Sequence, residues 1–266
     1  MRIVDMKRIL LPTDFSSGSI QLIEEVVKRF SKDSVNFFIC TAYFQPHGTA
    51  DMLVSIADIL REDCEKQLTD LSQSLIHAYN IESVRMSTRA VYGRVEDVIH
   101  EICQVKDISL VVMATKGSQG FLDSVIGTHS SQIALKIRVP FLVFPEGTSF
   151  SLSPIHLALD QKGLSEATTQ KLRSIAAFFK SEIKSVHIKT QKEEESPVEY
   201  PVSFDGGTVE ITDPNVTQAL KRYMEDREGI LALINRRNGF WAQAFQLGHS
   251  AEIIQTTKTP VLALHE

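Results

Sequence analysis

From Val111 to Phe144 the chain reads VVMATKGSQGFLDSVIGTHSSQIALKIRVPFLVF: an apolar run, a glycine-bearing loop, a helix-length stretch and a second apolar run entered through Pro140. A strand that ends in a glycine loop and hands over to a helix N-terminus presents free backbone N–H groups to an anion, which is how a chain cradles phosphate. The spacing is defined: Gly117, nine residues, then Gly127 followed at once by Thr128, with Ser130 and Ser131 just behind.

Working outward from this stretch, short apolar runs alternate with helix-like segments, the pattern of βαβ units and a parallel sheet. Strands are expected at Arg8–Leu11, Val35–Tyr43, Ser83–Val91, Leu110–Ala114 and Pro140–Phe144. Helices are expected at Phe15–Phe30, with Ser16 or Ser17 as cap, at Met52–Tyr79 and at Val95–Val105. In the long helix Leu53, Ile56, Ile59, Leu60, Leu68, Leu71 and Leu75 recur at three and four residues, as one apolar face requires. Glu146–Pro154, EGTSFSLSP, reads as a linker.

Beyond the linker the pattern restarts. Ile155–Leu159 ends at Asp160 much as Ile9–Thr13 ends at Asp14; Ser165–Phe179 is helical, Ser185–Lys189 strand-like, Gln218–Asp226 helical, and Gly229–Ile234 mirrors Leu110–Ala114. Gly248-His249-Ser250 stands where Gly127-Thr128-His129 stood, and Thr259-Pro260-Val261-Leu262 echoes Val139-Pro140-Phe141-Leu142. The chain is therefore read as a tandem duplication, with domains at residues 1–146 and 154–266. The second copy is shorter between its second strand and its glycine region, where Lys189–Pro201, KTQKEEESPVEYP, reads as a charged solvent loop.

Bulk properties exclude several classes. A net charge of -5, with 28 basic residues scattered along the chain, leaves no footprint for nucleic acid. No stretch approaches the roughly 18 apolar residues of a membrane helix, and the N-terminal run IVDMKRILLP is broken by Asp5, Lys7 and Arg8. Three cysteines without metal-type spacing are expected to be free thiols in a reducing cytoplasm. The eight histidines show no HxxxH spacing, and no GxSxG elbow, Walker lysine motif or Cys–His pair announces a catalytic nucleophile.

At these residues the chain resembles the universal stress protein family, whose domains are five-stranded α/β sandwiches of mostly parallel, Rossmann-like topology, many with an adenine-nucleotide site. The family's ATP-binding pattern is Gly-x2-Gly-x9-Gly-Ser/Thr after the fourth strand; here Ala114 takes the first glycine position, Gly117 the second, Gly127 the third and Thr128 the hydroxyl position. The resemblance implies ATP, or ADP or AMP, in the first domain. Pro12, Thr13 and Asp14 would lie against the adenosine, Asp14 near the ribose or a bound Mg2+, Ala42 against the adenine, and Ser130 at the terminal phosphates. Met113 and His129 would complete the lining. It also implies that the two fifth strands, Pro140–Phe144 and Val261–Leu264, pair within the chain as family members pair in dimers, with a further homodimer compatible and protein partners unspecified.

Each residue also has a plain structural reading. Gly127 fits a tight turn, Thr128 an N-cap, Asp14 a cap on the first helix, Lys116 a solvated cation, and His129 a polar residue in a first helical turn. The methyl of Ala114 either packs harmlessly or crowds the phosphates. In the second copy Asn235 and Asn238 replace the first two glycines and His249 the hydroxyl; asparagine tolerates φ > 0, so the loop shape is expected to persist over a degenerate site. Trp241 and Phe245 there are expected in the core or at an interface. The function expected is a nucleotide-binding stress protein with at most slow hydrolysis. The alternatives are a nucleotide-free scaffold and, last, an adenine-nucleotide hydrolase.

Overall fold

The structure is a computed structural model that describes residues 7–44, 50–115, 137–145, 147–159, 163–189, 204, 207–235 and 259–266. Gly117, Gly127, Thr128, His129, Ser130, Lys116, Asn238, Trp241, Phe245 and His249 lie outside these residues, as does nearly all of the charged run at 189–201. The described residues form ten strands and five α-helices, a mixed α/β protein with mostly parallel strands and Rossmann-type topology, which fits two tandem domains. Contacts divide it into two compact units, Met6–Ala114 and a second one holding Thr115–Glu266.

In the first unit β1 (Arg8–Pro12) leads to α1 (Ser17–Phe30), β2 (Asn36–Tyr43), α2 (Ala50–Tyr79), a 3-10 turn at Ser83–Arg85, β3 (Met86–Tyr92), α3 (Val95–Val105) and β4 (Leu110–Thr115). The strand order is β3-β2-β1-β4, and β1 pairs in parallel with β2 on one edge and β4 on the other. Ile9, Leu10 and Leu11 are fully buried, as expected of a central strand covered on both faces. The amphipathic face of α1 follows from Leu22, Ile23, Val26, Val27 and Phe30, all buried. Ser83–Arg85 opens as a 3-10 turn, so β3 starts three residues later than its apolar pattern suggests. There Arg85 donates to the carbonyls of Ser31 and Val35, at 2.9 and 2.8 Å, and also to that of Asp33, fastening the loop before β2.

The periodicity of α2 located the helix but not its cover. Leu68 and Leu75 are buried, whereas Ile56 and Ile59 are 42% and 62% exposed, because only the C-terminal half of the stripe meets the sheet.

In the second unit β5 (Phe141–Pro145) precedes β6 (Ile155–Leu159), α4 (Glu166–Phe179), β7 (Ile183–Lys189), β8 (Thr208–Thr212), α5 (Val216–Glu225), β9 (Ile230–Asn235) and β10 (Val261–His265), in the order β5-β10-β9-β6-β7-β8. All neighbours are parallel except β5 and β10, which run antiparallel with Val143, Leu142 and Phe141 opposite Val261, Leu262 and Ala263. This ladder is why the contact division falls before β5 and not at the linker. β8 is a strand that the sequence reading did not contain: TVEIT is short, largely exposed and at the sheet edge, so it carries no apolar run, and only its register with Ser185–Lys189 defines it.

Two packing constraints in this unit are local and testable. Gly229 has φ +108°, and a Cβ there would lie 2.1 Å from the Pro154 carbonyl oxygen, the acceptor for Ile230 N–H at 2.9 Å. Gly207 also has positive φ, +68°, but open space around it. Gly229→Ala is expected to lower unfolding free energy by about 2–4 kcal/mol and Gly207→Ala by about 1 kcal/mol, read from urea denaturation midpoints.

His156 joins β6 to α5. Its Nε2–H donates to the Glu228 carbonyl, since a carbonyl only accepts, so Nδ1 accepts from the Tyr223 hydroxyl at 2.9 Å. Burial holds its pKa below the ordinary 6.5, opposed by the Glu228 hydrogen bond and assisted by Lys184 and Arg227. The folded state therefore binds fewer protons than the unfolded chain below that value, and stability falls as pH drops through the window beneath 6.5. Denaturant midpoints measured from neutral pH downward should show this decline, with a smaller slope in His156→Phe.

Candidate functional site

Because β1, β2, β3 and β4 are parallel, their carboxyl ends meet at one edge of the first unit. The chain builds outward from β1 to β2 to β3 and then returns to β4 on the other side. The crevice between the ends of β1 and β4 is thus a topological switch point, where open α/β sheets place ligands.

Pro12, Thr13 and Asp14 leave β1 on one side of that point. Continuing the register of Ile9 with Leu110 and Leu10 with Val111 puts Met113 level with Pro12 and Ala114 level with Thr13 on the other. Met113 is buried at 5% exposure and Ala114 is half-buried. Ala42, also half-buried, is the last residue but one of β2, one strand away, opposite Val91. The structure thus brings the described members of the expected set to one edge. Gly117, Gly127, Thr128, His129 and Ser130 lie outside the described residues.

The turn from β1 into α1 is tightly wired. Thr13 N–H donates to the Cys40 carbonyl at 2.8 Å, tying it to β2, while Thr13 Oγ1 lies 2.9 Å from Ser19 Oγ and accepts from Phe15 N–H at 2.9 Å. Asp14 Oδ1 accepts from both Ser16 N–H, at 3.0 Å, and Ser16 Oγ, at 2.5 Å. Ser16 caps α1 by accepting from Ser19 N–H at 3.3 Å. Between them Phe15 is held at φ 59°, a conformation that strains a bulky side chain by roughly 1–3 kcal/mol. Asp14 takes the cap-side geometry as part of an Asx turn, and the hydroxyl cluster of Thr13, Ser16 and Ser19 is a feature that single-residue reading did not assemble.

Ala114 is a strand residue. Among the described residues the non-glycine positions with left-handed backbone are Phe15, Asn80, Asp107 and Lys180, so neither Ala114 nor Asn235 needs glycine-like freedom. This corrects the expectation that asparagine preserves a φ > 0 loop at 235. Asn235 closes β9, is buried, and sits opposite His265, its amide nitrogen 3.5 Å from His265 Nδ1. At Ala114 the question reduces to the volume of one methyl group.

The family model for the universal stress protein family matches residues 6–145. The chain belongs to the universal stress protein family. Among solved structures, a universal stress protein from Archaeoglobus fulgidus is 17% identical with a TM-score of 0.73, covering 98% of this chain and 97% of that one. A functionally unknown protein from Pseudomonas aeruginosa PAO1 is 11% identical with a TM-score of 0.61, covering 98% and 92%. At these identities the likeness is one of fold. A search of the curated proteins finds no match.

In this universal stress protein, no helix among the described residues is long and apolar enough to cross a membrane. Among the same residues no group of three or more His, Cys, Asp or Glu side chains is placed to hold a metal ion. The thiols are protonated: burial and the neighbouring Cys103 push Cys40 up, and burial pushes Cys103 up to about 12. Burial, then Asp63 and Glu65, raise Cys64 as well, but it is the least enclosed of the three. Since the thiolate is the reacting species, brief alkylation of the folded chain at neutral pH should modify Cys64 first, with Cys40 and Cys103 labelled only after denaturation, as read by peptide mass spectrometry.

Proposed function

We propose that this chain is a tandem universal stress protein, with repeats at 1–146 and 154–266, whose first repeat binds ATP or a related adenine nucleotide and serves in stress response or regulation. The observation that carries the reading is the convergence of Pro12-Thr13-Asp14 and Met113-Ala114 on one switch point, directly before the Gly117–Gly127-Thr128 motif, in a segment matched to the family. The half-buried polar side chains of Asp14 and Ser16 suit a sugar, and the motif suits phosphates. The Asp14 carboxylate is the chemistry that Mg2+ accompanying a nucleotide would use. The β5–β10 ladder supports a reading in which the two fifth strands pair within one chain and so cover edges that would otherwise invite association. Free thiols support a reducing, cytoplasmic setting.

One observation favours a nucleotide-free scaffold instead: the methyl of Ala114 at the crevice, echoed by the buried Asn235 at the corresponding strand end of the second unit. Thermal shift and calorimetry with ATP, ADP and AMP, with and without Mg2+, separate the two readings. Binding is expected to raise the melting temperature with nucleotide concentration, and Gly127→Val is expected to weaken affinity at least tenfold while the fold persists. No stabilisation at millimolar nucleotide would leave the scaffold reading standing.

A further inference from the structure

Large exposed apolar side chains are normally scattered and need no explanation. Val84, Val105 and Val209 fit that description, but Phe44 and Tyr92 do not, because they are together. Phe44 is 57% and Tyr92 54% exposed, and their rings stack at 6.0 Å with an interplanar angle of 20°. Tyr43 meets Tyr92 edge-on at 5.7 Å and 70°. The three rings sit at the carboxyl ends of β2 and β3, on the same edge as the crevice, where Tyr43 and Tyr92 are opposite each other in the ladder. The Gly93 N–H donates to the Tyr43 carbonyl at 3.0 Å and fixes the two strand ends together. Phe44 and Tyr92 are thus exposed rings on two strand ends that a backbone hydrogen bond joins.

We infer that Phe44 and Tyr92 form the stacking wall for the base of the bound nucleotide, an assignment that rests on the nucleotide reading above. The polarity of the edge sets the direction. The phosphate motif follows β4 in the sequence, the half-buried polar side chains of Asp14 and Ser16 stand just beyond β1, and the aromatic rings stand at β2 and β3. That order of phosphate motif, polar side chains and flat apolar rings matches phosphate, ribose and base. Three strand spacings separate β4 from β3, about 14 Å, comparable with an extended nucleoside triphosphate. Stacking on an aromatic ring is tolerant of base identity, so the wall supplies affinity for a base face, and selection among bases falls to other groups.

The test uses the full chain, titrated with ATP by calorimetry and followed by the adenine H2 and H8 proton signals. In the wild-type chain those protons are expected to shift upfield through ring currents. Tyr92→Ala and Phe44→Ala should each weaken ATP binding about tenfold or more and diminish the shift, whereas Tyr92→Phe should retain both. Both side chains are exposed, so unchanged melting temperatures are expected and separate loss of the wall from loss of the fold. Equal ATP affinity in wild type and both alanine variants, or unshifted adenine protons in bound wild type, overturns the wall and leaves the nucleotide reading intact. Absence of ATP binding to the wild-type chain overturns both.

Discussion

The placement of β1 between β2 and β4, in parallel on both edges, is the constraint from which the candidate site descends. A strand with two parallel neighbours must be reached through crossovers and covered on both faces, so its residues are apolar throughout and Ile9, Leu10 and Leu11 are fully buried. The same geometry leaves its carboxyl end as the place where the chain has nothing to pair with. Thr13 and Asp14 emerge there into a polar turn wired by Ser16 and Ser19, with a strained Phe15 at its centre. Order in the sheet thus produces a rigid polar rim at the switch point.

The second unit repeats this plan with β6 between β7 and β9, but its strand ends carry different chemistry. His187 lies two residues before the end of β7, its Nδ1 3.0 Å from the Leu159 carbonyl oxygen, and Asn235 ends β9 beside His265. Where the first unit presents the small, half-buried Ala114, the second presents the buried, polar Asn235. Small residues leave volume for a ligand at a strand end, and larger hydrogen-bonding side chains fill it. The two units share a strand plan and differ at the edge, as expected when a fold and the sites grafted on it are under separate constraints.

Much of the fold was legible because buried parallel strands are long apolar runs between amphipathic helices, and both signals are local. Ser16 as a cap and the stripe of α1 could be read the same way. What escaped was non-local. β8 is defined by its ladder with β7 and not by its own residues, and the exposure of Ile56 and Ile59 depends on how far the sheet extends beneath α2. At the candidate site, Ala114 is named by the glycine motif, and Pro12, Thr13, Asp14, Ala42 and Met113 are expected only through the family resemblance. The Phe44–Tyr92 pair was legible in neither way, since those residues are far apart in sequence and become neighbours only through strand register.

By itself, then, the sequence determined the class of fold and the residues at the ends of β1, β2 and β4, because hydrophobic period and glycine placement are properties of short segments. Tertiary structure decided which of these share an edge, that β5 runs antiparallel to β10, and that Ala114 occupies extended strand. The reason is that register and crossing order are set by side chains packing across the sheet, between residues that no local pattern relates.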